Sequence, residues 1–290
     1  MSDVIIGPDD YVTVTKMGHL VEVQHMEKRN DRNNIKKLNE DEYLVLETGE
    51  IKEFDRTENR SEGQNSLRQT FKKLRYLINN NFKGLSNELH MTLTYADNMQ
   101  DVKRLYDDVR KFIMRLKYTY REQTSIDYIN VVEPQQRGAW HCHVLVRFND
   151  LKTVYVENSK LAKIWGHGFV NIRTLKNVDN IGAYLSAYLA DIELTEENGL
   201  DSIGREVEEK NVNGEKKKFI KGGRLHMYPS GMNIYRKSRG CKYPDRKVIK
   251  YKDIKKIVGP AKPHYEKIKT IDTDDFTNKI TYLQYNMKRT

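Results

Sequence analysis

Residues 140–146 run Trp140-His141-Cys142-His143-Val144-Leu145-Val146, a stretch of β-formers in which two histidines flank one small residue. Side chains alternate between the two faces of a strand, so His141 and His143 point the same way, roughly 7 Å apart. Trp140, Cys142, Val144, Val146 and Phe148 line the opposite face, which reads as the core side. Two imidazoles held side by side on a stiff strand are the beginning of a divalent-metal site. Two exposed strand histidines without a partner are the plain alternative, and the surrounding chain has to separate the two.

Just upstream, a strand from Ile126 to Glu133 leads into Pro134-Gln135-Gln136-Arg137-Gly138. Proline and glycine in a turn of this length favour an antiparallel hairpin, which sets Glu133 nearly opposite His141. Two neutral imidazoles and a carboxylate form a mixed nitrogen and oxygen donor set suited to Mn²⁺ or Mg²⁺. Such an ion keeps open positions for a phosphate oxygen.

Farther out, His90-Met91-Thr92-Leu93-Thr94-Tyr95 reads as a strand. Asp101 to about Tyr118 carries Val102, Leu105, Val109, Phe112, Ile113 and Leu116 at helical spacing. A short helix around Ser159 to Trp165, a strand over Phe169 to Leu175 and a helix from about Asp179 to Asp191 follow the histidine strand. Before them, Ser66 and Gln69 form a capping box for a helix bearing Leu67, Phe71, Leu74 and Ile78 on one face. The order strand, helix, strand, strand, helix, strand, helix predicts an α+β fold, a central antiparallel sheet with helices on one face. On the last helix, Tyr184 and Tyr188 are four residues apart, so their phenols lie one turn apart on one face. A phenol with its ordinary pKa near 10 needs a strongly polarised target to act as a nucleophile, and a metal-bound phosphodiester is one.

The chain of 290 residues is long enough for one large domain or two small ones. Residues 1–60 read as a small β-rich segment, 61–192 as the core, 193–223 as a flexible charged linker or insertion, and 224–290 as a basic segment. The net charge of +10 is concentrated: residues 216–256 hold fifteen Lys or Arg against two acids, +13, which leaves −3 for the remainder. One strongly basic stretch on a near-neutral body predicts a polyanionic partner, most simply nucleic acid. Arg224, Arg236, Lys237, Arg239 and Lys242 supply the charge, and the interleaved Tyr228 and Tyr235 supply rings for stacking on bases.

A mean hydropathy of −0.79 and the lack of a long apolar run argue against a membrane protein. With only Cys142 and Cys241 there is no disulfide framework or cysteine zinc site, and a reducing cytoplasmic setting fits. No phosphate-binding loop of the Gly-x-x-x-x-Gly-Lys-Ser/Thr type occurs, so no nucleotide cofactor is expected.

Taken in order, Met91-Thr92-Leu93-Thr94-Tyr95, His141-Cys142-His143 and the Tyr184/Tyr188 helix resemble the three motifs of the HUH endonucleases, in particular the rolling-circle replication initiators of phages and plasmids. Val132-Glu133-Pro134, Gly138-Ala139-Trp140-His141, Trp165-Gly166-His167-Gly168-Phe169 and Arg224-Leu225-His226-Met227-Tyr228-Pro229 extend the likeness over residues 61–245. The resemblance implies a ferredoxin-like or RRM-like palm and a metal held by His141, His143 and Glu133. It also implies attack by Tyr184 or Tyr188 on single-stranded origin DNA, giving a 5′-phosphotyrosine and a 3′-OH for primer extension. Unwinding and synthesis then fall to a host helicase and polymerase. Family members commonly carry a lysine three residues after the tyrosine; here Ala187 and Asp191 stand there. Two other functions remain open at this point: a relaxase for conjugative mobilisation, which shares the motifs, and a catalytically silent origin-binding or copy-control protein, which the absent lysine favours.

Overall fold

The computed structural model describes residues 6–29, 34–39, 41–53, 64–135, 137–176, 178, 180–190, 192–193, 207–212, 215–220, 224, 227–229, 231–273 and 276–289. Two compact units divide the chain, one formed by residues 1–58 with 244–290 and the other by residues 59–243.

The first unit contains β1 (Tyr11–Met17), β2 (Leu20–Met26), β3 (Ile35–Lys37), β4 (Glu42–Val45) and β5 (Ile51–Glu53) from its N-terminal part. In the second unit come α1 (Gln64–Asn81), β6 (Glu88–Thr94), α2 (Val102–Tyr120), β7 (Ile126–Pro134), β8 (Trp140–Phe148), α3 (Asn158–Trp165), β9 (Val170–Thr174), α4 (Ile181–Ala190), β10 (Ile192–Glu193), β11 (Val207–Val212), β12 (Glu215–Ile220) and β13 (Tyr235–Lys237). β14 (Arg246–Lys250), α5 (Lys255–Val258), β15 (Pro263–Thr273) and β16 (Phe276–Asn286) return to the first unit.

The second unit is the α+β body expected from the element order. Its sheet runs β13-β7-β8-β6-β9, antiparallel throughout, so the histidine strand β8 is central. Alternation sorts its side chains as read from the sequence: Trp140, Cys142, Val144, Val146 and Phe148 are all buried on one face. On that face α2 packs through Leu105, Val109, Phe112, Ile113 and Leu116, and Tyr120 meets Phe148 edge-on at 5.1 Å. Asp101 starts α2, its carboxylate accepting from the amides of Lys103 (2.8 Å) and Arg104 (3.1 Å), two of the donors that a helix start leaves without a partner. Trp165 of α3 is fully buried against Phe112, and its indole N–H donates to the Thr94 carbonyl at 3.0 Å. Burying each large side chain of this kind stabilises by roughly 1.5–3 kcal/mol.

Helices also stand over the histidine face, an arrangement fuller than the one-face layout suggested by the element order. Arg147, on the histidine side of β8, donates to the Asn81 carbonyl at the end of α1. The α4 start is tied to α1 by the Gly182 amide donating to Asn79 Oδ1 at 2.8 Å. α1 begins at Gln64, so Ser66 lies within its first turn and not at its cap.

Two expected boundaries move. The supposed linker over 193–223 includes a hairpin, β11 with β12, joined by β10 into a three-stranded sheet. The basic stretch from Arg224 is not one segment: residues up to Tyr243 belong to the second unit, and those from Pro244 pair with the N-terminal strands. That first-unit sheet runs β14-β1-β2-β16-β15. Val12, Val14, Val21, Val23, Leu283 and Tyr285 bury one face of it with Ile254 and Val258, so neither terminal segment has a complete core alone.

Candidate active site

β7 and β8 pair with Glu133 opposite His141 and Val131 opposite His143, as the turn chemistry predicted. On the other side of β8, β6 pairs Thr94 with His141, Thr92 with His143 and His90 with Leu145. Directly opposed residues share a face, so His90 joins the two motif histidines there. It was not among the residues picked from the sequence. The signal was present: His90 precedes Thr92 by two in a strand of alternating pattern, but only the β6–β8 pairing reveals the shared face.

The buried groups form a chain of contacts. His90 Nε2 lies 3.0 Å from His143 Nδ1, and His143 Nε2 lies 2.5 Å from Glu133 Oε2. Neutral tautomers with hydrogen on both Nε2 atoms satisfy both contacts, His90 donating to His143 and His143 donating to Glu133. The Thr92 hydroxyl is 3.4 Å from the same His143 Nδ1. Glu133 Oε1 is in an ion pair with the Arg224 guanidinium, whose Nη1 also donates to the Pro134 carbonyl at 3.4 Å. Glu133 is 7% exposed and Arg224 20%.

Burial keeps all three histidines neutral, because an imidazolium loses more solvation than an imidazole. It lowers His90 to about 3, with help from the neighbouring His143 and Arg173, and His141 to about 4, with help from His143 and Arg137. His143 is also lowered to about 4, by burial. Burial likewise lowers the pKa of Arg224, without approaching neutrality of a guanidinium at physiological pH.

Neutral imidazoles and a carboxylate stand in register on adjacent strands. His141 Nε2 is buried with no hydrogen-bond partner among the described residues. His143 and Glu133 are engaged with each other, and Glu133 also with Arg224. No group of three or more His, Cys, Asp or Glu among the described residues is placed to hold a metal ion.

Tyr184 stands over this face, its ring edge-on to His90 with centroids 6.3 Å apart. Tyr188 falls one turn later on α4, and its side chain lies outside the described residues. The residues expected to grip nucleic acid divide. Tyr228 cannot stack on a base: it is fully buried, 6.1 Å from Trp140 between ring centroids, with its hydroxyl donating to the Val132 carbonyl. Arg224 is spent on Glu133. Tyr235 is partly buried and its hydroxyl pairs with that of Tyr243 at 2.8 Å, while Lys237 donates to the Cys241 carbonyl. The side chains of Arg236, Arg239 and Lys242 are exposed, Arg236 lying over the Tyr106 ring at 4.0 Å.

Residues 88–193 match the family model of replication-associated proteins of the ORF2 type. The matched span begins at β6 and ends just after α4, so it contains His90, Glu133, His141, His143 and Tyr184. That match points to a role in replication. No curated protein and no solved structure matches the chain. No helix among the described residues is long and apolar enough to cross a membrane.

Proposed function

We propose that this protein is a rolling-circle replication initiator of the HUH type, which nicks and rejoins single-stranded origin DNA. The observation that carries the reading is Tyr184 held edge-on to His90, above the sheet face that bears His141, His143 and Glu133. The replication-associated family match over the same residues supports it. In the reaction the Tyr184 hydroxyl gives up its proton and its oxygen bonds to phosphorus as the P–O3′ bond breaks, leaving a 5′-phosphotyrosine and a 3′-oxygen that takes up a proton to become the 3′-OH. DNA is rejoined when a 3′-OH, the original one or one freed by attack of Tyr188 on a second phosphodiester, bonds to the phosphorus of the phosphotyrosine as its bond to the tyrosine oxygen breaks.

For His141, His143 and Glu133 to hold Mn²⁺ or Mg²⁺, His143 and Glu133 would have to exchange their present partners for the ion, and the Nε2 of His141 would be the first donor. When bound, such an ion supplies Lewis-acid polarisation of the scissile phosphate. The chain's own contribution is orientation: the β7–β8–β6 register fixes the imidazoles, their burial keeps them in the ligating neutral form, and α4 presents the phenol.

A second reading has its own support. Arg224 already satisfies the Glu133 carboxylate as a metal cation would, which is the arrangement expected of a silent origin-binding protein. One experiment separates the two. Wild type, Tyr184→Phe, Tyr188→Phe and the double variant are incubated with single-stranded element DNA, with and without Mn²⁺, and run on a denaturing gel. A covalent adduct that needs Mn²⁺ and is lost in the double variant is expected. Adducts that persist in the double variant refute the tyrosine assignment, and DNA binding that resists chelator without any adduct selects the silent protein.

A further inference from the structure

The edge of the core sheet carries a surface that the nicking chemistry does not account for. β9 is the outermost strand beyond β6, with Val170 and Ile172 packed onto the hydrophobic core. Asn171 and Arg173 therefore point to the other face, opposite Thr92 and His90. The ladder continues past the strand end, since the Thr94 amide donates to the Phe169 carbonyl at 2.9 Å. Phe169 thus stands in one cross-strand row with Thr94, His141 and Glu133, two strand spacings or roughly 10 Å from His141.

Phe169 is 73% exposed, yet its backbone is clamped. The Ala96 amide donates to the His167 carbonyl, two residues before Phe169, at 3.0 Å. Gly168 has a φ of 150°, and a Cβ there would come within 2.4 Å of the Ala96 nitrogen and 2.5 Å of the Thr94 oxygen. A glycine is required for that approach. The result is a large apolar ring held out in solvent on rigid backbone, which loses little conformational freedom on binding. The charge on the flanking chain has one sign: residues 158–178 include Lys160, Lys163, Arg173 and Lys176 and no carboxylate.

We propose that Phe169, with Asn171 and Arg173, is the platform on which single-stranded DNA is seated next to the nicking site. Phe169 stacks on a base, Arg173 meets a backbone phosphate, and Asn171 offers an amide between them. The proposal rests on the reading of a single-stranded substrate but not on cleavage, so binding tests it directly. Oligothymidine carrying a single 2-aminopurine is titrated with the full-length Tyr184→Phe protein, and with the same protein further changed to Phe169→Ala, Phe169→Tyr or Arg173→Gln.

Quenching of the 2-aminopurine at one position is expected. Phe169→Ala should weaken binding about tenfold and abolish the quenching, whereas Phe169→Tyr retains both. Arg173→Gln should weaken binding and flatten its salt dependence while keeping the quenching. Phe169→Ala with unchanged affinity and quenching overturns the platform, as does a Phe169→Ala effect confined to self-association in gel filtration. If the protein fails to bind oligothymidine at all, the platform and the single-stranded substrate fall together. Binding and quenching as expected without adducts in the wild type leave the platform standing and remove the nickase.

Discussion

Replacing Arg224 with methionine leaves Glu133 nearly buried with one carboxylate oxygen unpaired. Removing one partner of a buried pair typically costs about 3–5 kcal/mol. Two features reduce that figure here: Arg224 is one-fifth exposed, and Glu133 Oε2 keeps its contact with His143. The expected loss is therefore about 2–3 kcal/mol. Glu133→Gln introduced on top removes the stranded charge, so the double variant should be more stable than Arg224→Met alone, with a coupling of roughly 1–2 kcal/mol. The assay is urea unfolding followed by tryptophan fluorescence. Trp140 and Trp165 are the protein's two tryptophans, both buried and both within residues 59–243, so the signal reports the unit that contains the pair. A constant slope across the variants licenses the comparison of midpoints. An Arg224→Met protein within about 0.5 kcal/mol of wild type, or losses that simply add in the double variant, would refute the account of the ion pair.

Glu88 is buried at the start of β6, and its Oε2 accepts from the amides of Lys83, Gly84 and Leu85 at 2.7–3.0 Å. Glu88→Ala should cost about 3 kcal/mol and Glu88→Gln about half as much, read from the same urea curves. Gly168→Ala should cost more than about 2 kcal/mol and lower oligothymidine affinity, because the new Cβ meets backbone atoms and not a movable side chain. Asp127 is pushed up by burial but more strongly down by hydrogen bonds from Ser238, Arg147 and Asn149, so its pKa ends below the ordinary 3.8. A depressed carboxylate stabilises fully above its unfolded pKa and loses that contribution as pH falls through its folded one. Asp127→Asn should therefore lower the urea midpoint at neutral pH and converge on wild type only below about pH 4.

The local half of the site was legible because its determinants are local. Alternation around His141 and His143 assigned their face, and Pro134 with Gly138 set the register that puts Glu133 across from His141. The apolar spacing from Val102 to Leu116 marked α2, and the structure adds Asp101 as its cap. What escaped was set by long-range pairing. His90 reaches the site only because β6 packs beside β8, 53 residues away in sequence from His90 to His143. Arg224 arrives from still farther, and its charge looked like one more phosphate contact until Glu133 was found beside it. Tyr228 shows the same limit from the other direction: a tyrosine between cations reads as a stacking ring, but Trp140 and the Val132 carbonyl give it an interior place. The N-terminal segment was recognisable as β, whereas the C-terminal strands read only as part of a basic segment. That they complete one another's sheet depends on pairings such as Val12 with Ile249 and Val23 with Leu283, which no local pattern encodes.

The small residue between the motif histidines has a practical consequence. Cys142 faces inward and is fully packed, and burial pushes its thiol up to about 12. Cys241, the other cysteine, is also buried, with its thiol raised mainly for the same reason. Thiolates are the species that react with maleimides, so both native thiols are shielded in the folded protein. A cysteine introduced at an exposed position such as Tyr155 should then take a fluorophore selectively, without first stripping the chain of its own thiols.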